Sequence, residues 1–196
     1  MFVERIMNQT AAKSGWIEVI SGCMFSGKTE ELIRRVNRAL IAKQKVELFK
    51  PAIDKRYHPV DVVSHNQRKI NATPVHFASD LLLLAGNCEV VAIDEAQFFD
   101  DEIVAVCNHL ANNGKRVIVA GLDMDFEGKP FGPMPNLLAV AEFVTKLHAI
   151  CAATGDLASF SFRITDEKGK VKIGEKDQYE ARSRAAFVEG MNAKKG

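Results

Sequence analysis

Gly22-Cys23-Met24-Phe25-Ser26-Gly27-Lys28-Thr29 decides the fold of this chain. The string fits G-x-x-x-x-G-K-[ST], and its setting is the one that pattern requires. Upstream, Ile17 to Ile20 is a short apolar run that reads as a buried strand. Downstream, Thr29 to Lys43 carries Leu32, Ile33, Val36, Leu40 and Ile41 at helical spacing with charges between them. Between strand and helix the glycines let successive backbone N–H groups of Cys23, Met24, Phe25 and Ser26 point into one concavity. The helix N-terminus adds partial positive charge to that concavity. Phosphate oxygens are its natural occupant, with Lys28 bridging the β- and γ-phosphates and the Thr29 hydroxyl binding Mg²⁺.

The same logic finds the partner of this loop. Val90-Val91-Ala92-Ile93 is an apolar strand that runs straight into Asp94 and Glu95. Asp94 is placed to hold Mg²⁺, and Glu95 to act as general base. If the acceptor is water, the chain is an NTPase; if it is a substrate hydroxyl, the chain is a kinase. Asp94-Glu95-Ala96-Gln97 also resembles the strand end of a RecA-like ATP-hydrolysing module, a reading weakened by the want of a second motor half. Asp125-Phe126-Glu127-Gly128 imitates a GTPase D-x-x-G, but no N-K-x-D string accompanies it. Phe98, Phe99, Phe126 and Phe131 follow the two strand ends that face the phosphate loop. Such rings are more often core residues, yet a loop rich in Pro and Gly is an odd place for a core, so a base-stacking pocket is the alternative. The five histidines show no metal-ligand spacing; His65, in the polar loop, is the one that suggests a substrate contact.

Working outward, Val46 to Phe49 and Val117 to Ala120 predict further strands, and Val144 to Ile150 a last core strand. Ser79 to Gly86, Asp100 to His109 and Asn136 to Glu142 predict helices. Asp54 to Asn71 is polar without a clear period and reads as a loop; Val75 to Phe77 predicts a short strand. Continuously apolar strands separated by helices imply a parallel sheet covered on both faces. After Cys151 the pattern changes to a hairpin, Ser159 to Ile164 answered by Val171 to Ile173. The fold class expected is α/β: a P-loop (RecA-like) parallel sheet with helices on both faces and a small β-rich appendage.

Composition closes off other classes. The 196 residues are 47% hydrophobic and 26% charged, which excludes disorder and fits one main domain. A net charge of +1 argues against a general nucleic-acid binder. No apolar run approaches the roughly 20 residues of a membrane span. Cys23, Cys88, Cys107 and Cys151 form no C-x-x-C pair, as suits free thiols in a cytoplasmic protein.

Taken together, these strings make the sequence one that resembles the thymidine kinases of the cytosolic and bacterial P-loop type. The resemblance runs from about Gly15 to Tyr179 through Ser21 to Thr29, Lys50-Pro51, Asp54-Lys-Arg-Tyr57, Ser64-His65, Asp94 to Phe98, Gly121-Leu-Asp123, Lys129 to Gly132 and Gly174 to Tyr179. It implies phosphorylation of the thymidine 5′-hydroxyl by ATP with Mg²⁺ on Thr29 and Asp94. Glu95 takes the proton, with Lys28 and Arg56 in catalytic roles and Asp54 near the transferring phosphate. The cofactor contacts run over residues 22–29 and 94–97. Met24, Phe98, Leu122, Phe126 and Phe131 wall the thymine, and Ser161, Val171, Ile173, Gly174 and Tyr179 match a lasso over the nucleoside.

The resemblance also implies a homotetramer inhibited by dTTP, working in the cytoplasm in deoxynucleotide salvage, without nucleic-acid or membrane partners. It divides the chain into a flexible N-terminus (1–14), a nucleotide-binding domain (15–150), a lasso domain (151–185) and a flexible C-terminus (186–196). Two departures stand out. The family ties its lasso with zinc on two C-x-x-C pairs, which here read Cys151-Ala-Ala-Thr154 and Ser183-Arg-Ala-Ala186, so no structural zinc is expected. Glu175 stands where a second glycine is common, which alters the expected lasso geometry.

Overall fold

The computed structural model describes residues 14–54, 61–63, 69–165 and 178–194. In chain order the elements are β1 (Trp16–Gly22), α1 (Lys28–Ile41), β2 (Val46–Pro51), β3 (Asp61–Val63), β4 (Lys69–Asn71), β5 (Thr73–Val75), α2 (Asp80–Leu84), β6 (Val90–Ile93), α3 (Glu102–Asn112), β7 (Arg116–Gly121), α4 (Met134–Val140), β8 (Phe143–Leu147), β9 (Ala149–Ile150), β10 (Leu157–Ala158), β11 (Phe160–Arg163), β12 (Tyr179–Arg182) and α5 (Arg184–Ala193).

Six strands form one sheet in the order β5-β2-β6-β7-β1-β8. Every pairing in it is parallel. The alternation of side chains explains how helices cover both faces. Val117 and Val119 of β7 point with Val91 and Ile93 of β6 into a core shared with α2, α3 and α4. Ile118 and Ala120 point the other way, with Ala92, onto Leu32, Ile33, Val36 and Ala39 of α1. The expected α/β class with a doubly covered parallel sheet is what the chain forms.

On the α1 side a charged cluster is sealed inside. Glu18 of β1 is fully buried and accepts from Arg35 Nη1 at 2.8 Å and from Arg116 Nε at 2.6 Å. Arg35 also donates to Glu31 at 2.8 Å and to Thr145 Oγ1 of β8 at 2.9 Å. One buried carboxylate thus ties α1, β7 and, through Arg35, β8 to the first strand. Such a cluster is tolerated because each charge meets an opposite partner.

Several boundaries differ from the sequence reading. The polar stretch 54–71 is not all loop: β3 and β4 pair antiparallel, Asp61 opposite Asn71. Three-residue strands are too short to show a period. β5 lies at Thr73–Val75 rather than Val75 to Phe77, and Phe77 is exposed. Pro74 fits there because β5 is a sheet edge, where a missing N–H is tolerated. α4 starts at Met134, with Pro135 in its first turn, before the predicted Asn136. The predicted strand Val144 to Ile150 is two: β8 ends at Leu147, and Ala149–Ile150 pairs with β10 outside the main sheet.

In the appendage β11 pairs antiparallel with β12, Phe160 opposite Arg182. The expected partner Val171 to Ile173 lies outside the described residues, as does the N-terminal segment 1–13. The tail, charged and weakly helical by its sequence from Arg182 onward, forms α5. Ser183 caps α5, its Oγ accepting from Ala186 N at 3.5 Å. Phe187 then stacks on Phe160 at 4.6 Å between centroids and meets Phe162 edge-on. One aromatic and one alanine, Phe187 and Ala186, suffice to bury the inner face of this charged helix.

Removing the arginine from the buried cluster tests its weight. Arg35→Ala should lower unfolding stability by about 3–5 kcal/mol, since Glu18 keeps its charge with fewer partners. A urea unfolding midpoint shifted by less than the equivalent of about 1 kcal/mol would contradict that.

Candidate active site

The loop between β1 and α1 is shaped by three residues with positive φ: Gly22 at 148°, Phe25 at 65° and Gly27 at 86°. A Cβ on Gly22 would stand 2.4 Å from the Leu147 carbonyl oxygen, so only glycine passes that point. Phe25, which is not glycine, holds a left-handed conformation that costs about 1–2 kcal/mol. Lys28 folds back over the loop, its Nζ donating to the Cys23 carbonyl at 2.7 Å. Burial pushes the Lys28 ammonium below its ordinary range, while Glu95, Asp94 and Asp123 pull the other way.

The two acids arrive from β6. Thr29 Oγ1 donates to Asp94 Oδ2 at 3.2 Å, so the hydroxyl and the carboxylate named for Mg²⁺ are neighbours. Both are hard oxygen ligands, which fits Mg²⁺. Asp94 Oδ1 accepts from the Glu95 N–H at 3.0 Å, and Glu95 itself sits in the left-handed region at φ 53°. Gln97 Nε2 donates to Glu95 Oε2 at 2.5 Å. Ala96 is fully buried in the core beneath, so its side chain is not part of the cleft.

The loops after β6 and β7 bring the aromatic rings together. Phe98 and Phe131 meet edge to face with centroids 5.6 Å apart. Phe99 turns away into the core. Leu122, just past β7, is half-buried, and its N–H donates to Gln97 Oε1 at 2.9 Å. The D-x-x-G string is a tight turn: Asp125 accepts from the N–H groups of Glu127 and Lys129. Asp54 is buried just past β2, and its N–H donates to Pro51 O.

The appendage reaches the loop directly. Ser161 Oγ accepts from Met24 N at 3.0 Å, and the Cys23 thiol donates to the Ala158 carbonyl at 3.3 Å. Ser161 therefore anchors the phosphate loop, a role its sequence position did not announce. Arg163 is the residue that sequence reasoning missed. Its guanidinium lies 3.6 Å above the Phe126 ring, and its Nε donates to Tyr179 Oη at 3.3 Å. Two predicted substrate residues from distant segments are thereby held together. The signal was present as a charge in the apolar run Phe160 to Phe162. Arg56, His65, Val171, Ile173 and Gly174 lie outside the described residues.

Comparison with known proteins supplies the family. The thymidine kinase family model matches residues 15–187. The chain belongs to the thymidine kinase family. A thymidine kinase of a Rhodothermus species is 57% identical over 95% of this chain and 88% of its own length. One from Bacteroides thetaiotaomicron is 56% identical over 92% and 90%, and one from Porphyromonas gingivalis 54% identical over 89% and 86%.

Around Cys151 the chain gathers Thr154, Ser183 and Ala186, the positions at which the resemblance expects zinc cysteines, and their side chains do not fit zinc. Burial raises the Cys151 thiol, yet the Thr154 hydroxyl and the N–H groups of Ser183, Ala153 and Thr154 outweigh it and bring it down to about 6. The Ser183 oxygen is engaged as a helix cap, and Ala186 offers no ligand. Zinc needs about four lone-pair donors instead.

This corner gives a pH dependence. An unfolded thiol ionises near its ordinary value of about 8.5, so between about 6 and 9 the unfolded chain holds a proton that the folded chain lacks. The stabilisation is fully present above about pH 9 and is lost as pH falls toward about 6. The stability difference between the natural chain and Cys151→Ser should grow over that range in denaturant titrations. A difference that stays constant from about pH 6 to about pH 9 would rule out a thiolate there.

Proposed function

We propose that this chain transfers the γ-phosphoryl group of ATP to the 5′-hydroxyl of thymidine, giving dTMP in deoxynucleotide salvage. One observation carries the reading. Thr29, Asp94 and Glu95 stand together at the ends of adjacent elements, where a phosphate cradle, a metal pair and a base are needed at once.

The glycine-shaped loop binds the phosphates through its backbone N–H groups, and Lys28 neutralises the β- and γ-oxygens. Thr29 and Asp94 would hold Mg²⁺, which would screen charge on the transferring group. Glu95 accepts the proton of the 5′-hydroxyl as the oxygen attacks the γ-phosphorus. Arg56 and Asp54 are assigned places beside the transferring phosphate. Met24, Leu122, Phe98, Phe131 and Phe126 wall the base, with Phe126 backed by the Arg163 guanidinium. Tyr179, Ser161, Val171, Ile173 and Gly174 are assigned to the lasso that shuts water out, since a kinase must withhold the γ-phosphate from water until its acceptor arrives.

The same reading includes feedback inhibition by dTTP, which would occupy the nucleoside site with its own phosphates. It also includes a homotetramer, a cytoplasmic setting and a lasso without zinc. Four free, buried cysteines accord with a reducing compartment. No helix among the described residues is long and apolar enough to cross a membrane.

Incubation with ATP, Mg²⁺ and a panel of nucleosides should give thymidine monophosphate, with ADP formed in equal amount and only when thymidine is present. Rapid ATP turnover without a nucleoside, stimulated by DNA, would mean a motor-type ATPase instead. Glu95→Gln should lower kcat by roughly 10²–10⁴ with nucleotide affinity little changed. Lys28→Ala should damage both.

A further inference from the structure

By sequence alone, Gln97 is one of several cofactor contacts. Its geometry says something narrower. The side-chain amide bridges two partners on different loops: its oxygen accepts from the Leu122 N–H at 2.9 Å, and its nitrogen donates to Glu95 Oε2 at 2.5 Å. A backbone N–H can only donate, so the amide oxygen must face Leu122, and the NH₂ must then face Glu95. The side chain cannot flip without setting two donors against each other.

The amide is also hemmed in. Gln97 is 3% exposed. A Cβ on Gly121 would come within 2.9 Å of its Oε1, and one on Gly132 within 2.4 Å of its main-chain oxygen. β7 and the loop behind Phe131 therefore press on Gln97 so closely that only glycine is accommodated at both points. On the other side, Glu95 holds a left-handed backbone, a conformation that persists only when its surroundings over-determine it. Asp94 fixes the Glu95 N–H, and Gln97 fixes one carboxylate oxygen.

We infer that Gln97 is a positioning residue for the phosphoryl transfer: it aims the Glu95 carboxylate by donating to Oε2, and it registers that carboxylate against the loop after β7, where Leu122 walls the base. The inference rests on the reading of Glu95 as the base. With one Glu95 oxygen held by an amide donor that cannot rotate, the plane of the carboxylate is fixed relative to the loop after β7. The logic is that of a base oriented by a third group. It also links two jobs. The loop that contacts the nucleoside and the carboxylate that takes its proton are joined by one side chain.

The test separates aiming from packing. Gln97→Glu keeps the volume and the acceptor for the Leu122 N–H, but it turns the donor aimed at Glu95 into a second carboxylate oxygen. Gln97→Met keeps the approximate volume and loses both contacts. In each variant kcat should fall about 10- to 100-fold, while KM for thymidine and for ATP stays within about threefold. Thermal unfolding and ATP binding, measured alongside, identify any variant that has simply misfolded; the other variant then carries the test. In a double-mutant cycle Glu95→Gln with Gln97→Met should turn over no more slowly than Glu95→Gln alone, because nothing remains to be aimed.

Wild-type kcat in a folded Gln97→Glu would overturn the inference and leave Gln97 as loop packing. So would losses that multiply in the double variant. If Glu95→Gln itself turns over normally, the inference falls together with the reading of Glu95. If Glu95→Gln is inactive and Gln97→Glu is not, the inference falls alone.

Discussion

The site depends first on the parallel pairing of β1, β6 and β7. Val19 stands opposite Val119, and Val119 opposite Ile93, so the C-terminal ends of three parallel strands lie on the same side of the sheet, β6 ending two residues before β7. The segments that leave those ends are brought together without further design: the phosphate loop after Gly22, the acid pair after Ile93 and the base-facing loop after Gly121. A slip of two residues in either ladder moves a strand by about 6.6 Å. That distance would part Thr29 from Asp94. Burial on both faces resists a one-residue slip, which would exchange the two cores. The Glu18 cluster resists it too, because a slipped β7 would carry Arg116 away from its carboxylate.

On this rigid frame the chemistry is carried by residues in uncomfortable conformations. Phe25 and Glu95 are both left-handed without being glycine, one in the cradle and the other at the base. Each conformation is stabilised by neighbours that are themselves well supported. Asp94 holds the Glu95 amide and touches Thr29, so a single carboxylate orients the hydroxyl proposed to bind metal and the proposed base. The appendage completes the set from the far side by taking up the Met24 N–H. The loop after β1 and the appendage are thus joined through Met24 and Ser161.

The frame was largely legible from the residues. Apolar runs such as Val90 to Ile93, bounded by a glycine-rich turn or by acids, have few readings other than buried parallel strands. The phosphate loop, Asp94 and Glu95 follow from spacing alone, because their chemistry requires fixed residue types. What escaped was decided by contacts across long sequence separations. Ser161 reaches the loop 137 residues upstream, and Arg163 joins Phe126 to Tyr179. Neither partner can be inferred from a local period. The short edge strand β5 was misplaced for the opposite reason. Its local signal is weak, with a proline inside it, and tertiary packing overrides it.

The central place of β1 has a consequence for the making of the protein. Trp16 is among the first residues of the sheet to leave the ribosome, yet its partner in β7 is Arg116, and β8 follows only at Phe143. At synthesis rates of about 5–20 residues per second, β1 waits many seconds with both edges open. Until β7 arrives Glu18 lacks Arg116 as a counter-charge, and until β8 arrives there is no Leu147 to wall the turn at Gly22. The nascent chain therefore carries a recognisable phosphate-loop sequence long before it owns a phosphate site. The nucleotide can stabilise the finished sheet, but it cannot template its assembly.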